Sequence, residues 1–251
     1  MEEFNKIKKI SAVIIAISAM TLTTNNAFAI GKVYSPNVVK GELEMEYLGS
    51  TTFDNNREKN ALQEHEAEFE YGLTDSVKLK ISGEFTKKPG ESVKSEEFSL
   101  GGIYQLFEQG ENWLDSGILL SYNRAAHTSV DPDSIEARLL LEKQSGEFLH
   151  RANIGIEEEI GAHRSGGPKR KFLWSSRYRY SKYFEPGFEV QSNFGKANET
   201  NHFNQQEHYI GPAIYGEIDK NIKYEAAYYK GISDASANGA ARILLEYEIY
   251  F

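Results

Sequence analysis

Two runs of glutamate, Glu42, Glu44 and Glu46 followed by Glu64, Glu66, Glu68 and Glu70, put a carboxylate at every second position. Lys78 and Lys80 repeat the spacing, and charged residues recur at it further on, among them Arg138, Arg177, Arg179, Glu225, Arg242 and Glu246. Groups of this kind can bind a charged solute, select ions by sign, or neutralise one another. A period of two puts them on one face of an extended strand. Nucleophile chemistry has thinner support. The six histidines are scattered with no pair at metal-ligand spacing, so neither a metal nor a cofactor is expected. Only His163-Arg164-Ser165 and His127-Thr128-Ser129 with Asp131 set a base near a hydroxyl, and no triad can be named. The chain is therefore read as no enzyme, with an outer-membrane lipid hydrolase or acyltransferase as the reading these two clusters leave open.

The elements that must carry the charges are strands. Leu43, Met45 and Tyr47 alternate with the first glutamates, Ala67, Phe69, Tyr71 and Leu73 with the second set, and Val77, Leu79, Ile81 and Phe85 with Lys78 and Lys80. Clean alternation repeated this often predicts β-strands with one apolar face. It continues to the last residues, where Phe251, Ile249, Tyr247, Leu245, Ile243 and Ala241 oppose Tyr250, Glu248, Glu246, Leu244 and Arg242. About twelve such segments occur, each near the roughly 9–11 residues that a tilted membrane strand needs. Short connections at Thr74, Glu108, Gln144, Glu185 and Asp219 alternate with longer ones beginning near Ser50, Lys87, Ala125, Gly161, Lys196 and Gly231. The expected fold is all-β, an antiparallel up-and-down transmembrane β-barrel.

Residues 1–29 read as a cleaved signal peptide. Lys6, Lys8 and Lys9 precede an apolar stretch from Ile10 to Met20, and Ala27-Phe28-Ala29 is a small-x-small cleavage site. The barrel domain is then 30–251, beginning with an irregular lead before Val39. The chain has no cysteine, which excludes a disulfide framework and lipidation at cysteine. Its net charge of −9 argues against nucleic acid as a partner.

Alternation does not say which face points outward. A soluble lipocalin-like barrel would turn the apolar set inside. Aromatic residues at both strand ends favour lipid outside, with Tyr71, Tyr104, Tyr180, Phe188, Tyr215 and Phe251 near short turns. Phe85, Tyr122, Phe172, Phe194 and Tyr228 lie near the long loops. On this reading Tyr209, Ala213 and Tyr215 face lipid, and Leu119, Leu140, Leu173 and Leu244 point inward. A Tyr71–Val77 pairing sets Glu70 against Lys78 and Glu68 against Lys80. The remaining acidic wall faces a basic wall containing Arg138, Arg151, Arg177, Arg179, Arg242 and Lys223. Gly161 to Lys171 reads as a basic outer loop. The charged interior either fills the barrel or forms a path for a small solute, and the sequence leaves both open. A closed barrel whose outer loops bind a partner or surface is the alternative function.

Two resemblances add to this. The closing strand, with Tyr247, Ile249 and terminal Phe251, resembles the signal read by the barrel assembly machinery of the bacterial outer membrane. That implies outer-membrane lipid and lipopolysaccharide as surroundings. Glu68-Phe-Glu-Tyr-Gly-Leu-Thr-Asp75, Glu142-Lys143, Asn153-Ile154-Gly155 and Gly211-Pro212-Ala213 are similar to the transport barrels associated with phenol meta-cleavage pathways. This resemblance implies passage of small, often hydrophobic compounds and supplies no catalytic residues.

Overall fold

The computed structural model describes residues 30–127, 131–161, 164, 166–199 and 201–251, so the signal-peptide reading of residues 1–29 lies outside the described residues. The strands are β1 (Glu42–Phe53), β2 (Gln63–Gly72), β3 (Val77–Lys87), β4 (Lys94–Gln105), β5 (Asp115–Ala125) and β6 (Asp133–Ser145). They continue with β7 (Phe148–Ile160), β8 (Lys169–Tyr178), β9 (Glu185–Lys196), β10 (Glu207–Asp219), β11 (Ile222–Gly231) and β12 (Gly239–Tyr250). Each strand pairs antiparallel with its neighbours in sequence, and β1 closes on β12 from Glu42↔Tyr250 to Phe53↔Gly239. Closure leaves no strand edge, which hydrocarbon could not hydrogen-bond.

The apolar set faces outward. Phe69, Leu79, Phe98, Leu100, Leu120, Ile154 and Ile156 are exposed on the outer surface. Glu44, Glu46, Glu68, Glu70, Lys78 and Lys80 are inside, none more than 7% exposed. Exposed aromatics mark both rims, Tyr71, Tyr104 and Phe188 at one and Phe85, Tyr122 and Tyr228 at the other. An apolar outer surface over a charged interior is the inverse of a water-soluble barrel. Leu119, Leu140, Leu173 and Leu244 are buried inside as expected.

Several details differ from expectation, among them the turn expected at Glu185, where β9 already begins. The β2–β3 connection occupies Leu73–Ser76, with Leu73 N–H donating to the Val77 carbonyl at 2.8 Å. Thr74 Oγ1 accepts from Val77 N–H at 3.0 Å. Tyr71 therefore pairs with Leu79 and Glu70 with Lys80, a shift of two that keeps every side chain on its face. The β4–β5 connection runs from Leu106 to Leu114, because Asp115 accepts from Gly110 N–H at 2.7 Å and starts its strand only there.

A further correction is β10. Tyr209, Ala213 and Tyr215 point inward, while Ile210, Pro212 and Ile214 pair with Val190, Phe188 and Pro186 on the outer face. Both faces of this stretch are apolar, so its period could not choose between them. The tyrosine hydroxyls choose, since each finds a partner inside that hydrocarbon lacks. Tyr215 donates to Glu189 Oε1 at 2.5 Å, and Tyr209 accepts from Ala237 N–H at 2.8 Å.

The lead, from Ile30 to Lys40, does not join the wall; residues 30–38 run down the inside of the barrel, and Val39 and Lys40 are exposed where it turns into β1. Its backbone bonds to wall side chains instead of a strand ladder. Gly31 N–H donates to Gln191 Oε1 at 3.0 Å, and the Gly31 carbonyl accepts from Arg242 Nη1 at 2.6 Å. Asn153 brackets Tyr34, accepting from its N–H at 2.8 Å and donating to its carbonyl at 2.9 Å. Val38 N–H donates to Gln105 Oε1 at 2.7 Å. Gly41 then turns the chain into β1 with φ +78°, a conformation that favours glycine.

Candidate functional site

The lead divides the lumen into two cavities, about 460 Å³ on the long-loop side and about 420 Å³ on the short-turn side. Lys32 and Tyr34 are the residues that line both. Tyr34 is the centre of a cationic cluster, with Lys32 Nζ, Lys80 Nζ and the Arg138 guanidinium 4.8, 4.6 and 5.4 Å from its ring centroid.

Beside Lys32 the wall is an array of carboxylates. Glu246, Glu46 and Glu68 lie opposite one another across β12, β1 and β2, and Glu248, Glu44 and Glu70 form the next row. Directly opposed like charges destabilise a sheet, so the array requires cations. Lys78 supplies one to Glu44 and Glu70, Lys80 one to Glu68, and Lys223 one to Glu246 and Glu248. Glu46 is paired with Lys32, which comes from the lead rather than from the wall. A further acidic row, Glu66, Glu84 and Glu97, crosses β2, β3 and β4 in the long-loop cavity.

The arginines do not form an opposing basic wall. Most are matched by a carboxylate on their own or an adjacent strand. Arg138 pairs with Glu136 at 2.8 Å and Arg151 with Glu142 at 2.6 Å. Arg177 and Arg179 share Glu185 at 3.2 and 2.5 Å. Arg242 reaches Glu225 on β11 and Glu189 on β9, both at 2.8 Å. Glu189 also accepts from Tyr215 and Tyr229, making a fully buried polar knot.

Of the residues singled out in the sequence, Glu42, Glu44, Glu46, Glu66, Glu68, Glu70, Lys78, Lys80, Arg138, Arg177, Glu225 and Glu246 line the cavities or are buried beside them. Arg242 is buried in the Glu189 knot, and Arg179 sits half-exposed beyond β8 at the short-turn mouth. Tyr247 is buried, whereas Phe251 is exposed and donates its N–H to the Gly41 carbonyl at 3.0 Å.

Lys169 and Lys171 correct the basic-loop reading. They belong to β8 and point into the lumen, reaching Glu157 at 3.0 and 2.6 Å. Strict alternation back from Leu173 would have found Lys171, but the glycines before it suggested a loop. Nothing in the sequence pointed to Lys32 and Tyr34, which lie in a stretch without period. His163, Ser165, Thr128 and Ser129, the core of the two nucleophile clusters, lie outside the described residues.

No protein family and no curated sequence matches the chain. Solved structures do. The "KdgM porin" aligns at 8% identity with a TM-score of 0.55, covering 82% of this chain and 99% of its own. The "NanC porin" aligns at 8% identity and TM-score 0.57, covering 82% and 100%. The COG4313 outer membrane channel from Pseudomonas putida F1 aligns at 11% identity and TM-score 0.60, covering 90% and 100%. At such identities the likeness is one of fold, and the fold is that of an outer-membrane barrel.

Proposed function

We propose that the protein is a bacterial outer-membrane channel that passes a small charged solute through its lumen, with a preference for cations. The observation that carries this reading is the pair of charged cavities lying end to end, which share the lead residues Lys32 and Tyr34 as their boundary. The barrel wall leaves room for a path, and the lead, which lies inside the lumen without being part of the wall, narrows it. The row Glu66–Glu84–Glu97 supports cation preference, because rings and rows of carboxylates attract and pass cations. The likeness to two porins and an outer membrane channel supports the reading. A phenol-type compound, implied by the sequence resemblance, suits this interior less well, since an apolar ring gains nothing from desolvating paired charges. Tyr247, Ile249 and Phe251 complete the proposal as the strand recognised during assembly into the membrane.

Planar-bilayer recording in a KCl gradient tests the proposal. The expected reversal potential favours K⁺, and Glu84→Gln together with Glu97→Gln moves it toward zero. Absence of conductance steps, or a reversal potential indifferent to both changes, overturns it.

A further inference from the structure

Lys32 is a cation delivered on a tether. Its ammonium pairs with Glu46, lies 3.7 Å from Glu68 Oε1 and 4.0 Å from Glu70 Oε2, and is only 11% exposed. One carboxylate oxygen from each of these three glutamates can be chosen so that all lie within 4.8 Å of one another, which makes a small three-sided anionic pocket filled by the Lys32 ammonium, bordering the short-turn cavity through Glu70. Glu68 Oε2 and Glu70 Oε2 are engaged by the wall residues Lys80 and Lys78. Glu68 Oε1 and Glu70 Oε1 are buried and accept no hydrogen bond. The pocket therefore has unused acceptor capacity around the ammonium that occupies it, on residues that are only 3% and 2% exposed.

We propose that this pocket is a binding site for a primary alkylammonium solute, and that Lys32 is its built-in competitor. The proposal rests on the lumen being the solute's path. Three N–H donors on an ammonium match three carboxylates, whereas Ca²⁺ or Mg²⁺ asks for six or more oxygens and, as a dication, would sit against the Lys78 and Lys80 ammoniums. Displacing the lead breaks bonds between its backbone and side chains such as Gln191, Asn153 and Gln105, and leaves the β1–β12 and β1–β2 ladders intact. An incoming ammonium can take the place of Lys32 without opening the barrel.

The test is titration calorimetry of the full-length, detergent-solubilised barrel with 1,5-diaminopentane, with tetramethylammonium as a cation that has no N–H donor. Lys32→Met is expected to bind the diamine at least tenfold more tightly than the native protein and to leave tetramethylammonium binding weak. Adding Glu46→Gln is expected to abolish the gain. Lys32→Gln serves as a second competitor-free variant if Lys32→Met fails to assemble, and Lys32→Arg, which retains a tethered cation, is expected to stay weak. Equal diamine affinity with and without Lys32, or a gain that survives Glu46→Gln, overturns the proposal. Bilayer conductance of the same variants separates the two readings. Tight diamine binding without conductance removes the channel and keeps the pocket, and conductance without diamine binding does the opposite.

Discussion

Among single residues, Glu189 has the most concentrated role in the lumen. Its carboxylate holds the Arg242 guanidinium and the hydroxyls of Tyr215 and Tyr229, and both charged groups are fully buried. An ion pair in such a place is weak evidence for net stability, but removing one member strands the other in a medium that cannot solvate it. Glu189→Ala is expected to destabilise the barrel by about 3–5 kcal/mol, read as a lower urea midpoint in micelles. A loss of only a few tenths would mean that water reaches Arg242. Nothing in the alternation of the sequence showed that Glu189 gathers partners from three other strands. That convergence depends on the curvature of the closed wall, which a one-dimensional pattern does not contain.

For the strands, the instructive case is β10. Alternation is decisive where one face is charged, as in β2, because a carboxylate cannot face hydrocarbon. In β10 both parities are apolar between Tyr209 and Tyr215, and the hydroxyls settle the facing. Two conservative substitutions report on it. Tyr215→Phe removes a donor to a buried carboxylate and is expected to cost about 1.5–3 kcal/mol. Tyr228→Phe, on the outward face of β11, is expected to cost less than about 0.5 kcal/mol. Equal effects in chemical denaturation would indicate that β10 has the opposite face inward. The same element scale explains the Glu68–Lys80 and Glu70–Lys78 ion pairs, which form even though the residues are not directly opposite. A lysine stem spans the diagonal of an antiparallel pair, so a register error of two leaves the pairs within reach.

For the whole molecule, the wall is complete without the lead. Every strand is paired on both sides, and residues 30–38 lie inside the lumen while Val39 and Lys40 are exposed where the chain turns into β1. Deleting residues 30–38 is therefore expected to leave a folded barrel whose single-channel conductance rises severalfold, because the two cavities then join. Unchanged conductance in an assembled barrel would place the limiting constriction in the wall, near the belt of Leu119, Leu140 and Leu173.

The amino-acid sequence by itself determined the β-barrel, its roughly twelve strands, and the inward facing of Glu42 to Glu70, Lys78 and Lys80. Each of these follows from local rules, the period of two and the penalty for charge in hydrocarbon. The expected alternation of long and short connections, by contrast, fails at β4–β5, where Leu106–Leu114 is as long as an outer loop. Tertiary structure alone decided that the lead enters the lumen, that Lys32 sits among Glu46, Glu68 and Glu70, and that the arginines find carboxylates beside them rather than across a gap. The lead has no ladder and no period, so its place is fixed only by the side chains that surround it once the barrel has closed.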